Sequence, residues 1–349
     1  MAGQMKAFVI RGPRETEWTD VPVPQYGEDE VLIRVSHLGV CATDLEIYQG
    51  KMVYFLNGQS KYPIIPGHEW SGEVVAMGSG VKNVAVGDRV VGETTISCGR
   101  CKYCLTGRYN LCPHRVENGV LGKNGAGAEF LVYPAHALHR FSERLSFEEA
   151  AFIEPAAVAY RGVKKLKISP DDKVAVIGAG PIGLLSMQMA KAFGARYVAL
   201  VDVRENRLKT GMRLGADEVL DLSRYKSVEE MLSCPPEERF TAVIEATGNA
   251  AAVETILDYA APAAKICLLG LCGGHTARVD VDKLVTYDLE LHGSLSSPGV
   301  WEAVIGLMES GKIRVKELIS HRFSLKEMEK AFLLMEQKDP EIVKILLEI

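Results

Sequence analysis

The sequence predicts an α/β protein in which a doubly wound parallel sheet is inserted into an irregular, mainly antiparallel β domain. Three observations predict this class. Strand-like and helix-like segments alternate through the second half, short β-rich runs broken by Gly, Pro and Asp fill the first 150 residues, and helix-like segments follow residue 293. Alternation is typical of parallel sheets, and short punctuated strands are typical of antiparallel β domains.

The length and composition indicate a two-domain globular chain with a small-molecule partner. The chain has 349 residues, of which 47% are hydrophobic, so it can bury a sizeable core. Its formal net charge is −5 and it has no Lys/Arg-rich run, which disfavours a nucleic-acid surface. We therefore expect a small-molecule partner and no nucleic acid.

The apolar segments predict neither a membrane span nor a leader. The N-terminal stretch MAGQMKAFVI has no long apolar core, and no later segment has the roughly 18 uninterrupted apolar residues of a membrane span. We therefore expect a cytoplasmic protein without membrane contact. Because thiols are kept reduced there, clustered cysteines are interpreted as metal ligands rather than disulfides.

Four of the eight cysteines lie in the segment SCGRCKYCLTGRYNLC. Cys98, Cys101, Cys104 and Cys112 have the spacing C-x2-C-x2-C-x7-C. Thiolates at this spacing can converge on one ion, and four sulfurs satisfy tetrahedral Zn2+ without leaving a position for water. The segment predicts a structural zinc site. An iron–sulfur cluster and four metal-free thiols are the alternatives.

The segment KVAVIGAGPIG joins a short apolar strand to a glycine-rich turn. Gly178, Gly180 and Gly183 have G-x-G-x-x-G spacing, and a helix-like segment follows. Such glycines allow a tight turn and a close approach of backbone to a pyrophosphate at the helix N-terminus. With the strands and helices that continue beyond it, the turn predicts a dinucleotide-binding (Rossmann) domain over residues 156–293.

The second strand of this domain, YVALVD, ends at Asp202. A carboxylate there accepts hydrogen bonds from the adenosine ribose hydroxyls and repels a 2′-phosphate, which favours NAD over NADP. Arg204 lies close in sequence and weakens that preference.

Three separated segments, GVCATDLEIYQG, IPGHEWSGEV and FIEPAAVAY, carry further metal-ligating residue types. Cys41 and His68 offer a sulfur and a nitrogen, and Glu69 or Glu154 offers an oxygen. Such a set leaves one position for water or substrate, as a catalytic zinc requires. The spacing alone leaves open whether these residues are ligands or structural.

Together with these motifs, GHEWSGEVVAMGSGVKNVAVGDRVVGE resembles the zinc-dependent medium-chain alcohol dehydrogenases, and the resemblance covers essentially the whole chain. Within this family, the chain most resembles the polyol branch, which includes sorbitol dehydrogenases and L-threonine 3-dehydrogenases. The pair Glu154-Pro155 is typical of that branch. The resemblance implies a GroES-like catalytic domain over residues 1–155 with both zinc sites. It also implies a NAD-binding domain over 156–293 and a return to the catalytic domain over 294–349.

The resemblance also implies roles for residues near the open zinc site. The implied catalytic zinc ligands are Cys41, His68, Glu69 and Glu154. Whether Glu69 or Glu154 is the direct ligand stays open, because Glu154 could bind through the zinc's water. Thr43 corresponds to the hydroxyl that passes the substrate proton away, and Asp44 to the carboxylate that orients the ligand imidazole.

Cofactor contacts are implied across the nucleotide domain. Besides the glycine-rich turn, they are Ile182, Asp202, Arg207, Thr247, Leu269, Gly270, Leu271, Ser294 and Ser296. Lys283 and the segment 293–297 correspond to positions where relatives close over the nicotinamide.

Two positions depart from the family pattern. Many relatives have His where this chain has Glu46, and sorbitol dehydrogenases have an Arg-Tyr pair where it has Ser296 and Ser297. Ordinary sorbitol is therefore a doubtful substrate. Glu46 suggests an aminopolyol or aminocyclitol, although a solvated surface carboxylate is the alternative. We take Glu46, Tyr48 and Glu154 as candidate substrate contacts.

The sequence thus predicts a NAD-dependent, two-zinc oxidoreductase acting on a secondary alcohol of a polyol, cyclitol or aminopolyol. A threonine-type amino-alcohol dehydrogenase, a simple secondary-alcohol dehydrogenase and a nucleotide-binding module without turnover are the alternatives. The resemblance also implies a homo-oligomer, with a tetramer favoured over a dimer.

Overall fold

The computed structural model describes residues 3–349. Met1 and Ala2, which belong to the segment inspected for a leader, lie outside the described residues. The chain divides into two compact units. The first comprises the described residues through Glu154 with Ser296–Glu309 and Ile319–Ile349, and the second comprises Pro155–Leu295 and Ser310–Leu318.

Eighteen strands form the sheets of the described residues. They are β1 Gln4–Gly12, β2 Glu15–Pro22, β3 Glu30–Val40, β4 Glu69–Met77, β5 Arg89–Gly92, β6 Thr95–Ile96, β7 Val116–Asn118, β8 Gly122–Lys123, β9 Phe130–Pro134, β10 Leu138–Arg140, β11 Lys173–Ile177, β12 Tyr197–Asp202, β13 Glu218–Asp221, β14 Phe240–Glu245, β15 Ala260–Leu268, β16 Glu290–Gly293, β17 Ile319–Ser324 and β18 Lys344–Glu348.

Twelve α-helices accompany these strands over residues 3–349. They are α1 Ala42–Gln49, α2 Val53–Leu56, α3 Lys102–Leu105, α4 Phe147–Ala150, α5 Ile153–Lys165, α6 Pro181–Ala192, α7 Glu205–Arg213, α8 Val228–Leu232, α9 Ala250–Glu254, α10 Val281–Thr286, α11 Trp301–Glu309 and α12 Met328–Glu336. Within the described part of the chain, none has the length and apolarity needed to cross a membrane.

The first unit is built around a seven-stranded, mainly antiparallel sheet. Its strands follow the order β10-β5-β4-β3-β18-β17, and β9 also pairs with β3. Only β17 and β18 pair in parallel, while β3 is antiparallel to β4, β9 and β18. Alternating apolar residues of β3, such as Val31, Ile33 and Val35, enter the core of this unit. The central strand therefore brings the C-terminal strand β18 beside the N-terminal half of the chain.

The second unit contains a six-stranded parallel sheet in the order β13-β12-β11-β14-β15-β16. Numbered within the unit, this is the doubly wound order 3-2-1-4-5-6. The central strand β11 is apolar and almost entirely buried, as a strand covered on both faces requires. The predicted fold class, a Rossmann sheet together with a mainly antiparallel β domain, is confirmed.

The observed division of the chain differs from the predicted domain bounds at one segment. The sequence assigned all of residues 294–349 to the catalytic domain, but Ser310–Leu318 belongs to the second unit. Gln188 of α6 holds this segment, since its side chain accepts a hydrogen bond from Arg314 N (2.8 Å) and donates one to Arg314 O (3.0 Å). The Arg314 guanidinium also donates to the carbonyl of Arg213 at 2.6 Å. These hydrogen bonds join residues more than 100 positions apart, so no local sequence pattern predicts that the segment belongs to the second unit.

Candidate functional site

The four clustered cysteines lie in the geometry of a closed metal site. The sulfur atoms of Cys98, Cys101, Cys104 and Cys112 all lie within 4.8 Å of one another. Cys104 Sγ is 3.4 Å from Cys101 Sγ and 3.9 Å from Cys98 Sγ. Zn–S bonds of about 2.3 Å in a tetrahedron give S···S distances of about 3.8 Å. The four sulfurs therefore fit zinc, and no cysteine of the described residues is in a disulfide.

The thiols of this loop differ in acidity. A hydrogen bond from Ser97 is the main reason why the pKa of Cys104 is lowered to about 6, while burial raises the pKa of Cys112 to about 11. Metal ligands must be thiolates. Cys104 is thus deprotonated near neutral pH before any metal binds, whereas deprotonation of Cys112 is favoured by a cation beside it.

A second set of ligand atoms converges in the first unit. Atoms of Cys41, His68 and Glu69 lie within 4.8 Å of one another. Cys41 follows the last residue of β3, and Glu69 begins β4, opposite Gly39 in the antiparallel register. The pairing of two neighbouring strands therefore assembles ligands that are far apart in sequence.

Two buried polar side chains hold the backbone that precedes His68. Asp44 accepts a hydrogen bond from Gly67 N at 3.2 Å, and Asn118 donates one to Gly67 O at 3.0 Å. Gly67 has φ +104°, and a Cβ there would lie 2.7 Å from the Leu38 side chain. Glycine is therefore required at this turn. Asn118 gave no signal in the sequence analysis.

Asp44 also connects the turn to the ligand residues. It accepts a hydrogen bond from Cys41 N at 2.9 Å, and its other oxygen lies 3.6 Å from His68 Nδ1. That distance exceeds a hydrogen bond, and buried His68 Nδ1 has no hydrogen-bond partner within residues 3–349. A small movement would pair the two atoms and leave the other ring nitrogen for a metal.

The charges around His68 favour a cation. Burial lowers the pKa of His68, but the negative charges of Asp44 and Cys41 outweigh burial and raise it well above its ordinary value. A site that stabilises positive charge on an imidazole also stabilises a metal cation. The donor set of thiolate, imidazole and carboxylate suits zinc.

Glu154 lies near this set but outside the three convergent ligands. Burial raises its pKa to about 6, with the charge of His68 opposing and that of Glu69 adding to the effect. Thr94 Oγ1 donates a hydrogen bond to Glu154 Oε1 at 2.7 Å. Thr94 was not among the sequence candidates. The choice between Glu69 and Glu154 as metal ligand remains a prediction to test.

The candidate substrate residues on α1 separate into two faces. Thr43 and Glu46 are three residues apart and share one face of the helix. Glu46 is half-buried, burial raises its pKa, and its carboxylate makes no hydrogen bond or ion pair within residues 3–349.

Tyr48 as a substrate contact remains a prediction, and the structure places its ring in the core of the first unit. Tyr48 follows Glu46 by two residues, which is about 200° around a helix. Its ring is 3% exposed and stacks on Phe332 with centroids 5.0 Å apart. The side chain therefore belongs to the core that joins α1 to α12.

The glycine-rich turn of the second unit has the close packing that a dinucleotide requires. A Cβ on Gly183 would lie 1.7 Å from the carbonyl oxygen of Gly178, so only glycine allows this approach. Helix α6 begins at Pro181 with Gly180 as N-cap. Arg207 Nη1 is 3.7 Å from where a Cβ on Gly180 would lie. Backbone amides and one guanidinium thus surround the helix N-terminus, where phosphates bind.

Asp202 is tied to this turn. One carboxylate oxygen accepts a hydrogen bond from Ala179 N at 2.5 Å. The other accepts hydrogen bonds from Val203 N at 2.7 Å and Arg204 N at 2.8 Å. These bonds hold the carboxylate at the carboxyl end of β12, beside the glycine-rich turn.

The other predicted cofactor residues of the second unit lie outside the glycine-rich turn, and several of them are near buried Glu245. Buried Glu245 accepts hydrogen bonds from Thr247 N (2.6 Å) and the Thr247 hydroxyl, while its carbonyl accepts one from Leu269 N at 2.9 Å. A Cβ on Gly270 would meet Gly248 N at 2.2 Å. The remaining predicted residues of the second unit are Ile182 in α6, exposed Leu271, Ser294, and Lys283, which pairs with Asp258 at 2.6 Å.

Ser296 and Ser297 both lie in the first unit. Ser296 has φ +59°, and its hydroxyl is 2.9 Å from that of Thr95. Ser297 is buried. Ser296 as a cofactor contact remains a prediction.

The fold and these sites define a metal-dependent, dinucleotide-binding class of protein. Residues 27–143 match the alcohol dehydrogenase GroES-like domain, and residues 181–310 match the zinc-binding dehydrogenase domain. The chain is also 31% identical over 342 residues to sorbitol dehydrogenase of Bacillus subtilis, covering 98% of this chain and 96% of that protein. The chain belongs to the zinc-dependent medium-chain alcohol dehydrogenase family.

Two solved structures show the same fold with a nucleotide bound. An alcohol dehydrogenase from E. coli CFT073, complexed with NADH, is 28% identical with a TM-score of 0.91, covering 99% of both chains. A zinc-binding dehydrogenase from Sinorhizobium meliloti, bound to NADP, is 29% identical with a TM-score of 0.90, covering 99% of this chain and 100% of that one. Relatives of similar likeness thus bind either nucleotide.

Proposed function

We propose that this chain is a zinc- and NAD-dependent dehydrogenase that oxidises a secondary alcohol of a polyol, cyclitol or aminopolyol. The observation that carries the proposal is the convergence of Cys41, His68 and Glu69 in a set that leaves one metal position free. The likeness to a sorbitol dehydrogenase supports a polyol as substrate.

Two zinc ions per chain follow from the two ligand sets. Cys98, Cys101, Cys104 and Cys112 would fill all four positions of one ion, which makes that ion structural. Cys41 and His68, with Glu69 or Glu154, would hold the other ion. That ion, when bound, supplies a Lewis acid that lowers the pKa of the substrate hydroxyl.

Side chains at the open site would orient the metal ligand and transfer the substrate proton. Asp44 would orient the imidazole of His68, because a small movement from the present 3.6 Å would let Nδ1 donate a hydrogen bond to its buried carboxylate. The hydroxyl of Thr43 would accept the substrate proton and pass it away. Buried Glu154, held by Thr94, has a pKa raised to about 6, so it is mostly ionised at neutral pH and takes up a proton in mildly acidic solution.

The second unit would bind NAD, which accepts the hydride. The amides at the N-terminus of α6, with Arg207 beside them, would bind the pyrophosphate. The Asp202 carboxylate would accept hydrogen bonds from the ribose hydroxyls and disfavour a 2′-phosphate. Arg204 and Arg207 moderate this preference, so NADP belongs in the same assay.

Glu46 favours one alternative function, that of an amino-alcohol dehydrogenase of the threonine type. Glu46 is half-buried on the helix face of Thr43, and its carboxylate interacts with the charge of Lys51 but makes no hydrogen bond or ion pair among the described residues, so it suits an ammonium group. An aminopolyol and an amino acid with a secondary hydroxyl share this chemistry. They differ in the carboxylate, which only the second carries.

We infer a cytoplasmic homo-oligomer, with a tetramer favoured over a dimer. Strand β16 is an edge of the six-stranded sheet, and Val281, Val285 and Leu291 near it in sequence are exposed. An unpaired strand edge with apolar neighbours favours self-association. Analytical ultracentrifugation tests the stoichiometry, and a stable monomer would contradict it.

The function is tested by following NAD+ reduction at 340 nm across polyols, cyclitols, their amino analogues and threonine. NADP+ is run in parallel with each substrate. We expect turnover of a polyol or amino analogue with NAD+, with sorbitol a poor substrate. One zinc ion per chain, confined to the four-cysteine loop, together with no turnover of any alcohol would favour a nucleotide-binding module instead.

A further inference from the structure

Lys344 and Glu69 form a buried ion pair at the open metal-ligand set. Lys344 Nζ contacts Glu69 Oε2, and the two side chains are 4% and 3% exposed. Lys344 begins β18 and Glu69 begins β4, with β3 between these two strands. A lysine almost never enters a protein interior unless its charge is paired.

The strand between them leaves space for the pair. Gly39 of β3 is opposite Glu69 on one side and Leu346 on the other. A Cβ on Gly39 would lie 2.5 Å from Glu69 Oε2 and 3.0 Å from Lys344 Cε. A residue with any side chain would therefore push the two charged groups apart. The contact depends on the local backbone and is not a chance approach of two flexible side chains.

The ammonium and a metal cation therefore share one carboxylate. Glu69 converges with Cys41 and His68, while one of its oxygens pairs with Lys344. An ammonium that neutralises part of the carboxylate charge weakens that carboxylate as a metal ligand. It also repels a nearby cation.

We propose that Lys344 is a positioning residue that weakens Glu69 as a metal ligand and keeps the metal's fourth position exchangeable. This inference rests on the proposed function, since it concerns the same open metal site. In this arrangement Cys41 and His68 hold the metal firmly and Glu69 binds it weakly. The fourth position then stays available to substrate or to Glu154.

The test measures zinc release from the purified, fully loaded protein to an excess of chelator. Lys344→Met removes the charge and nearly preserves the length of the side chain, and Lys344→Arg is the matched control that keeps the charge. We expect Lys344→Met to slow release from the open site about tenfold or more, because it restores the full charge of Glu69 and removes a repulsive cation. Lys344→Arg should stay near the wild-type rate. The four-cysteine site serves as an internal control, and its release should not change.

A second readout separates this role from a purely structural one. Without Lys344, the apoprotein has an unpaired buried carboxylate, which destabilises a fold. Zinc would then replace the missing charge. We therefore expect zinc to raise the Tm of Lys344→Met more than that of the wild type. A structural role alone would lower the Tm of both the apo and zinc-loaded forms equally.

The double variant Lys344→Met/Glu69→Gln shows whether the effect passes through Glu69. We expect the slow release to disappear in it. Release from Lys344→Met at the wild-type rate or faster would overturn the inference, as would slow release that persists in the double variant. If Lys344→Met does not fold, Lys344→Gln, which keeps a hydrogen-bond donor, gives the same measurement.

The outcomes separate this inference from the proposed function. A wild-type protein that holds one zinc ion, confined to the four-cysteine loop, contradicts both. A wild-type protein with two zinc ions and alcohol-dependent NAD+ reduction, but unchanged release in Lys344→Met, contradicts only the role of Lys344. Release is measured without substrate, so the result does not depend on finding the correct alcohol.

Discussion

The ring of His139 lies parallel to that of Trp301, with the ring centroids 5.2 Å apart and an interplanar angle of 7°. His139 Nε2 is 3.0 Å from Glu93 Oε1, and its Nδ1 is 2.9 Å from Glu302 Oε1. Both ring nitrogens can donate hydrogen bonds only in the imidazolium form. A charged histidine therefore joins β10 to the start of α11, where the chain returns to the first unit.

This arrangement predicts a pH-dependent contribution to stability. Burial lowers the pKa of His139, but hydrogen bonds and charges of Glu93 and Glu302 outweigh burial and raise it above its ordinary value. A raised folded-state pKa stabilises the fold fully below the unfolded value of about 6.5 and loses this effect as pH rises through the folded value. The unfolding free energy of wild type minus that of His139→Gln should therefore decrease from pH 6 to pH 9.

The measurement is urea unfolding of the zinc-loaded protein at several pH values. Glu302→Gln, which removes one carboxylate partner, should reduce the pH dependence without abolishing it. A difference between wild type and His139→Gln that stays constant from pH 6 to pH 9 would show that the pKa of His139 is the same in the folded and unfolded protein, and it would contradict this role of the two carboxylates.

Glu46→Gln tests whether the carboxylate recognises an ammonium group. A hydrogen bond to a charged group contributes about 1.5–3 kcal/mol, so we expect kcat/KM for an amino substrate to fall about tenfold or more. For the hydroxy analogue of the same substrate, the fall should be less than about threefold. The measurement is steady-state kinetics of wild type and Glu46→Gln on the amino substrate and on its hydroxy analogue. Equal losses of kcat/KM on both substrates would show that Glu46 is a solvated surface carboxylate.

Asp202→Ala tests cofactor selection. The variant loses the acceptor for the ribose hydroxyls and the repulsion of a 2′-phosphate. We expect KM for NAD+ to rise about tenfold, as for loss of one charge-assisted hydrogen bond, and the preference for NAD+ over NADP+ to shrink. Because the carboxylate also binds Ala179 N, titration with inorganic pyrophosphate, which lacks the ribose, serves as a control for the shape of the turn. An unchanged ratio of the two kcat/KM values would contradict this role.

Local patterns made much of this architecture predictable. The four-cysteine spacing and the glycine-rich turn each lie within one short segment, where backbone geometry limits the outcomes. The parallel sheet followed from regular alternation of strands and helices. The open metal site was different, because Cys41 and His68 meet only through the pairing of β3 with β4.

Residues that act through tertiary contacts could not be identified from the sequence. Thr94 and Asn118 are common polar residues whose partners, Glu154 and Gly67, are distant in the chain. Lys344 had one signal, since it interrupts the apolar run of residues 342–347, and β18 begins at it. Tyr48 lies about 200° around α1 from Glu46, a relation that helix periodicity alone gives.

The division between a structural and a catalytic metal site is the central claim, and metal content with turnover in two cysteine variants tests it most directly. Cys41→Ser should keep one zinc ion per chain and a folded structure while turnover falls at least about 100-fold. Cys101→Ser should lose the other zinc ion and show reduced stability or assembly, because a closed site contributes to folding. Zinc analysis, thermal unfolding and the NAD+ assay on both variants give the answer. A Cys101→Ser protein that stays equally stable and assembled, but loses only its turnover, would contradict the account.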